Sequence, residues 1–215
     1  MKLRIVLSAS LVLMSALLLS GCLSQPTEPT NYYVLEFDTS VSGAPPERGA
    51  ADDAGGAATV DGQGPAVIIQ DADVAPMFDR RQLLQRLDGP LVRYRNGDLW
   101  AVSPATAVAN LVREGVERSP RFGSVSTGRR AAGSYEVVIR IDALTHYCCS
   151  RASESEVAGE LALLDLQSGS TVTRHRFERR EALGDEEPQS FVEAVSRVLS
   201  EEVVAFLGKI PDELE

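Results

Sequence analysis

The chain has 215 residues, with 21 Lys and Arg against 31 Asp and Glu and a net charge of −10. An acidic field of that size argues against nucleic acid as a partner and against electrostatic adhesion to anionic lipid headgroups. Of the three cysteines, Cys22 stands alone and Cys148 and Cys149 are adjacent. Neighbouring cysteines close a disulfide only through a strained small ring, so a framework of disulfide staples is excluded and stability must come from packing.

In chain order, the first element is an export signal. Lys2 and Arg4 precede an apolar run from Ile5 to Leu19, shorter than the ~20 residues a helix needs to cross the hydrocarbon core. The run ends in Leu19-Ser20-Gly21-Cys22, which resembles the bacterial lipobox. That resemblance implies cleavage after residue 21 and acylation of Cys22 by diacylglycerol and a further, palmitate-type chain. At ~0.8 kcal/mol per buried CH₂, two or more chains hold a protein stably. Removal of Lys2 and Arg4 with residues 1–21 makes the mature net charge −12. Leu23 is not the aspartate that retains enteric lipoproteins in the inner membrane, so the expected location is the outer membrane, facing the periplasm.

Residues 22–30 read as the lipidated cysteine and a polar, proline-bearing tether. The domain is expected over 31–210. Tyr32 to Phe37 is aromatic and branched enough to be its first strand. From about 40 to 65 the composition collapses to Gly, Ala, Pro, Asp and Glu, which predicts a disordered loop, because almost nothing there can offset the entropy of ordering. Ala66 to Gln70 reads as a buried strand. Met77 to Leu84 is ambiguous between a helical turn and a strand. After Asp88-Gly89-Pro90, Leu91 to Tyr94 reads as a strand ending in a turn at Asn96-Gly97.

Ser103 is a good N-cap and Pro104 suits the first helical position. Val108, Leu111, Val112 and Val116 then recur at helical spacing until Ser119-Pro120. Strand patterning resumes at Phe122 to Val125. It returns at Tyr135, Val137, Ile139 and Ile141 with one wet face, although Val138 and Leu144 break the alternation. Val157 to Leu166 and Thr171 to Glu178, joined by Gln167-Ser168-Gly169-Ser170, predict an antiparallel hairpin. Ser190 and Glu193 in capping-box spacing, after Pro188, open a second helix whose apolar stripe is Phe191, Val195, Val198, Leu199, Val203 and Phe206, before Gly208 and Pro211. The expected fold class is α+β, a mainly antiparallel sheet with two helices packed on it, after a cleaved lipoprotein signal peptide.

The order of a lipobox, Tyr32-Tyr33-Val34-Leu35, Asp79-Arg80-x-Gln82-Leu83 and Asn96-Gly97-Asp98-Leu99-Trp100-Ala101-x-Ser103-Pro104 running into a helix closely resembles the ABC-type transport auxiliary lipoproteins. The resemblance covers nearly the whole mature chain apart from the loop at 40–65. It implies a non-enzymatic accessory of an MCE-type lipid transport system, with a periplasmic MCE-domain protein as partner. Leu99 and Val102 depart from the basic and acidic residues many members carry around the tryptophan. The alternative class is a general outer-membrane structural or binding lipoprotein, such as an activator of a cell-wall enzyme. Self-association into a homo-oligomer is left open.

No catalytic, cofactor or metal site is expected. His146 and His175 are the only histidines, no nucleophile stands in a telling spacing with a base, and His146-Tyr147-Cys148-Cys149 lacks the ligand number and spacing of zinc sites. It reads as a bulge or strand end with two partly buried thiols. Trp100 has two readings, a core residue before a helix cap or a partner contact. Arg174, Arg176, Arg179 and Arg180 likewise read as a solvated strand edge or as a docking patch for an acidic partner face.

Overall fold

A computed structural model describes residues 29–42, 58–59, 64–87, 89–127, 133–148 and 153–214. The signal, Cys22, most of the tether, Cys149 and most of the acidic loop lie outside the described residues. The described part of the loop holds a 3-10 turn, Thr39–Ser42, and a two-residue strand.

Among the described residues ten strands form one sheet: β1 (Asn31–Tyr33), β2 (Ala58–Thr59), β3 (Ala66–Ile69), β4 (Asp73–Val74), β5 (Gln82–Arg86), β6 (Val92–Trp100), β7 (Ser124–Thr127), β8 (Tyr135–Tyr147), β9 (Ser153–Asp165) and β10 (Thr171–Leu183). Helix α1 (Pro104–Glu117) separates β6 from β7, and α2 (Pro188–Leu207) follows β10. The fold class is α+β, but the sheet is mixed and not mainly antiparallel. One edge of β8 carries the antiparallel meander β8-β9-β10. The other edge is shared in turn by β3, β4 and β5, all parallel to β8. The β3·β7 and β1·β6 pairs are parallel as well. β3, β4 and β5 follow one another along that edge in one direction, their partners on β8 advancing from Tyr135 to Tyr147, and β6 then reverses against β5 and leads into α1.

The helices match their sequence signals closely. The Ser103 hydroxyl accepts the Thr106 N–H at 3.2 Å and caps α1, and Val108, Leu111, Val112 and Val116 are all buried. The stripe of α2 is buried from Phe191 to Phe206. Its start differs from the expectation: Pro188 occupies the first turn, Glu187 is the N-cap position without a side-chain bond, and Ser190 lies inside the helix. Where α1 crosses α2, a Cβ on Gly115 would stand 2.6 Å from both Val203 and Phe37. Only a residue without a side chain allows that approach.

The first strand is shorter than expected because the chain changes partner. The N–H groups of Glu36 and Asp38 donate to Ser196 and Ser200 of α2, so the segment after Tyr33 runs along a helix. Asn96-Gly97 does not reverse the chain either. The β5–β6 reversal is at Gly89-Pro90, where Gly89 has φ +70° and the Leu87 N–H donates to the Leu91 carbonyl at 2.9 Å. Gln82 faces Leu99 and Leu84 faces Tyr94, so Arg95 to Asp98 form a bulge opposite the single residue Leu83.

A second bulge explains the broken alternation in β8. Ile141 pairs with Gly159 and Ala143 with Ala158, leaving Asp142 as an extra residue. Beyond it the phase inverts, and Leu144 and His146 point inward. The bulge leaves the Arg140 carbonyl oxygen only 2.3 Å from where a Cβ on Gly159 would lie. Gly159→Ala is therefore expected to lower unfolding free energy by about 1–3 kcal/mol, read as a fall in the urea midpoint. A variant as stable as the parent would mean that the bulge relaxes freely.

Candidate functional site

Trp100 ends β6 and is 3% exposed. Its ring lies 6.3 Å from that of Phe191 in α2, whose other neighbour is His146, stacked at 5.2 Å and 9°. The tryptophan thus belongs to the core joining β6, β8 and α2, and its side chain has no free surface to offer a partner. His146 is held neutral: burial, then the nearby Arg95 charge, lower its pKa from 6.5 to about 4. Its Nε2 is 2.9 Å from Ser153 Oγ, and that hydroxyl donates to the Tyr147 carbonyl. The imidazole therefore donates from Nε2, leaving Nδ1 as the acceptor facing Gln85 Nε2 at 3.4 Å. Cys148 follows at the strand end and is fully buried, more so than the partly buried thiol expected. Every polar group of His146 is engaged in packing. Among the described residues no group of three or more His, Cys, Asp and Glu side chains is placed to hold a metal.

The arginines of β10 stand on the edge of the β8-β9-β10 meander, and each meets a carboxylate. Arg174 and Arg176 share Glu160, Arg180 bonds Glu156, and Arg179 reaches Glu201 at 3.1 Å and Glu202 at 3.0 Å. A net positive patch for an acidic partner face is therefore not what the fold builds; the outer face is a mosaic of alternating charge. Hydrogen bonding and charge from Arg174 and Arg176 hold the Glu160 carboxyl below its ordinary range. Beneath this face, Glu202 accepts from His175 Nε2 at 2.6 Å, and Lys209 Nζ lies 2.6 Å from His175 Nδ1. An ammonium only donates, so Nδ1 accepts and Nε2 carries the hydrogen. This network, buried at His175 and Glu202, ties β10 to α2.

The opposite edge of the sheet begins at β1, where the tether enters. Asp98, buried in the β6 bulge, accepts from Asn31 and Tyr33, each at 3.0 Å, and pairs with Arg95. Burial raises the Asp98 pKa, but the bonds from Asn31, Arg95 and Tyr33 outweigh it and hold the carboxyl below its ordinary value. The Ala101 N–H donates to the Tyr33 carbonyl at 2.8 Å. The segments singled out in the sequence, Tyr32-Tyr33, Asp79 to Leu83 and Asn96 to Trp100, thus form one structural unit. What the sequence reading passed over is its surface. Arg80, Arg81, Arg86 and Arg93 are exposed here, and among the described residues none of the four meets a carboxylate. Arginine density in an acidic chain was the available signal.

The profile of the ABC-type transport auxiliary lipoprotein component family matches residues 50–205, well over half of the chain. No curated protein is similar enough in sequence to count as a relative. Among solved structures, a Xanthomonas campestris protein of the DUF330 family superposes with a TM-score of 0.59 at 13% identity, over 67% of this chain and 83% of that one. An uncharacterized protein superposes with a TM-score of 0.63 at 11% identity, over 86% of this chain and 100% of that one. At those identities the likeness is one of fold. The match over residues 50–205 goes further, and the chain belongs to the ABC-type transport auxiliary lipoprotein family.

Proposed function

We propose that the protein is a non-enzymatic accessory lipoprotein of an MCE-type intermembrane lipid transport system, anchored to the outer membrane through acylated Cys22 and docking the periplasmic MCE component there. The observation that carries this reading is membership of a family of lipoproteins that assist ABC-type transport. Leu19-Ser20-Gly21-Cys22 behind a short apolar run supports the anchor, and Leu23 supports the outer membrane. Among the described residues no helix is long and apolar enough to cross a membrane, so the proposed attachment rests on Cys22. The face offered to a protein partner is the outer side of β8-β9-β10, with Arg174 and Arg176 on its edge strand. Because its charges are already matched in pairs, a docking partner must supply a similar mosaic and exchange ion pairs with it, a mode that gives selectivity more than affinity. Repeated copies would let weak contacts sum to stable attachment.

Cys22→Ala is expected to abolish acylation and release the protein from the membrane fraction, with mass spectrometry of the mature amino terminus as the direct check. An unmodified Cys22, or cleavage elsewhere, overturns the anchor. Docking is tested by co-purifying the detergent-solubilised lipoprotein with MCE protein and crosslinking from positions 174 and 176. Recovery of no MCE protein, together with unchanged outer-membrane lipid composition and faltering cell-wall synthesis on deletion, replaces this reading with that of a general envelope lipoprotein.

A further inference from the structure

The arginines are divided unequally between the two edges of the sheet. Those on β10 each meet a carboxylate of β9 or α2. On the segment from Arg80 to Arg93, Arg80, Arg81 and Arg86 lie over aromatic rings without a carboxylate partner, whereas the β10 arginine over a ring, Arg180 on Tyr147, is also paired with Glu156. Arg80 lies over Tyr94 at 5.0 Å, Arg81 over Tyr32 at 5.7 Å and Arg86 over Tyr147 at 5.7 Å. Stacking on a ring holds a guanidinium in place through its face and leaves its in-plane N–H groups free to bind an anion in bidentate fashion. Arg81 uses two of its five on the Trp100 and Ala101 carbonyls; Arg80 keeps all of its own. Large apolar side chains are exposed beside them: Tyr32 (61%) and Val34 (53%) at β1, Val102 after β6, Met77 before β5, and Leu91 at the β5–β6 turn.

We propose that β1 and the β5–β6 hairpin form the membrane-facing surface of the protein, where the arginines bind phosphate groups of anionic phospholipids and the exposed tyrosine and aliphatic side chains enter the interfacial layer. The inference rests on the Cys22 anchor proposed above and adds the orientation. Charge and position both favour lipid as the occupant. Seven peptide steps join Cys22 to Pro29, at most about 25 Å of chain. The Pro29 carbonyl oxygen lies 3.5 Å from where a Gly97 Cβ would stand, against the bulge of β6. The tether therefore delivers this edge of the sheet, and not β10, to the bilayer that holds the acyl chains. A mature chain of net charge −12, once Lys2 and Arg4 are removed with residues 1–21, is repelled by an anionic surface at long range, so this surface is too weak to recruit the protein by itself. Tethering raises the local lipid concentration enough for a weak site to be occupied.

The test uses the full lipoprotein reconstituted in vesicles of phosphatidylethanolamine and phosphatidylglycerol, with an environment-sensitive fluorescent amino acid in place of Val34, Leu91 or, as a control on the outer face of β8, Val138. Nitroxide-labelled phospholipid is expected to quench positions 34 and 91 several-fold more strongly than 138. Arg80→Glu with Arg93→Glu, whose side chains form no ion pair or hydrogen bond among the described residues, is expected to abolish that difference while the protein still floats with the vesicles. Replacing phosphatidylglycerol with phosphatidylcholine is expected to weaken it. Equal quenching at all three positions in a protein that floats overturns the orientation and leaves the anchor standing. A protein that does not float removes the anchor and this inference with it. Positions 34 and 91 unquenched by lipid but shielded when MCE protein is added would assign the surface to a protein partner and overturn the proposal.

Discussion

Phe191→Ala is expected to lower the unfolding free energy by about 3–5 kcal/mol. The side chain is 1% exposed and fills the space between Trp100 and His146. Truncation removes one aromatic neighbour from each and opens a cavity where α2, β6 and β8 meet. Because β1 hangs on β6 through Asp98 and the Tyr33 carbonyl, the lost support reaches the strand at which the tether enters. At roughly 2–4 °C per kcal/mol for a chain of this size, the melting midpoint falls by about 10 °C. Trp100 is the only tryptophan, so its emission reports on the site directly: blue-shifted in the parent, red-shifted in Phe191→Ala before any unfolding. A water-like emission in the parent protein would contradict the burial of Trp100.

The second large effect is a loss of stability in mild acid that belongs to His146. Its folded pKa is about 4 and an unfolded imidazole titrates near 6.5. Between those values the unfolded chain binds a proton that the folded one refuses. Stability is therefore at its full value above pH ~6.5, falls as pH drops through that window, and levels off with respect to this group below pH ~4, for a total of about 3 kcal/mol. Carboxylates add their own loss at the acid end, so the decisive comparison is with His146→Gln, which keeps a donor and an acceptor for Ser153 and Gln85 but cannot titrate. Urea midpoints followed from neutral pH to about 4 should decline less steeply in the variant, by close to one proton of linkage. Parallel slopes would mean that His146 protonates without leaving its site.

Both effects depend on residues whose surroundings could not be inferred from their neighbours in the chain. The capping serine and proline of α1, the stripes Val108 to Val116 and Phe191 to Phe206, and the hairpin turn before Thr171 were legible, because capping, periodicity and turn chemistry act over a few residues. Family membership was legible too, through the order of short segments along the chain. Strand direction was not. Nothing in Val67, Val74 or Leu84 says that its strand will lie parallel to β8, since the strand it pairs with lies about sixty residues further along the chain. Leu144 and His146 looked out of phase because one extra residue, Asp142, inverts the alternation, and a bulge is defined only by the strand opposite. Asn96-Gly97 carried a turn signal that the pairing of β6 with β1 and β5 converted into a bulge.

The arginines draw the line most clearly. The four on β10 and those at 80, 81, 86 and 93 are alike in sequence, each set an exposed basic cluster in an acidic chain. Sequence alone determined that the chain is an acidic α+β protein with two amphipathic helices and a lipobox-like cysteine. Only the tertiary structure decided that the β10 set faces Glu156, Glu160, Glu201 and Glu202 while Arg80, Arg81 and Arg86 lie over tyrosines without a carboxylate partner, because whether a charge is matched depends on which side chains the sheet register and helix packing bring within a few ångströms of it.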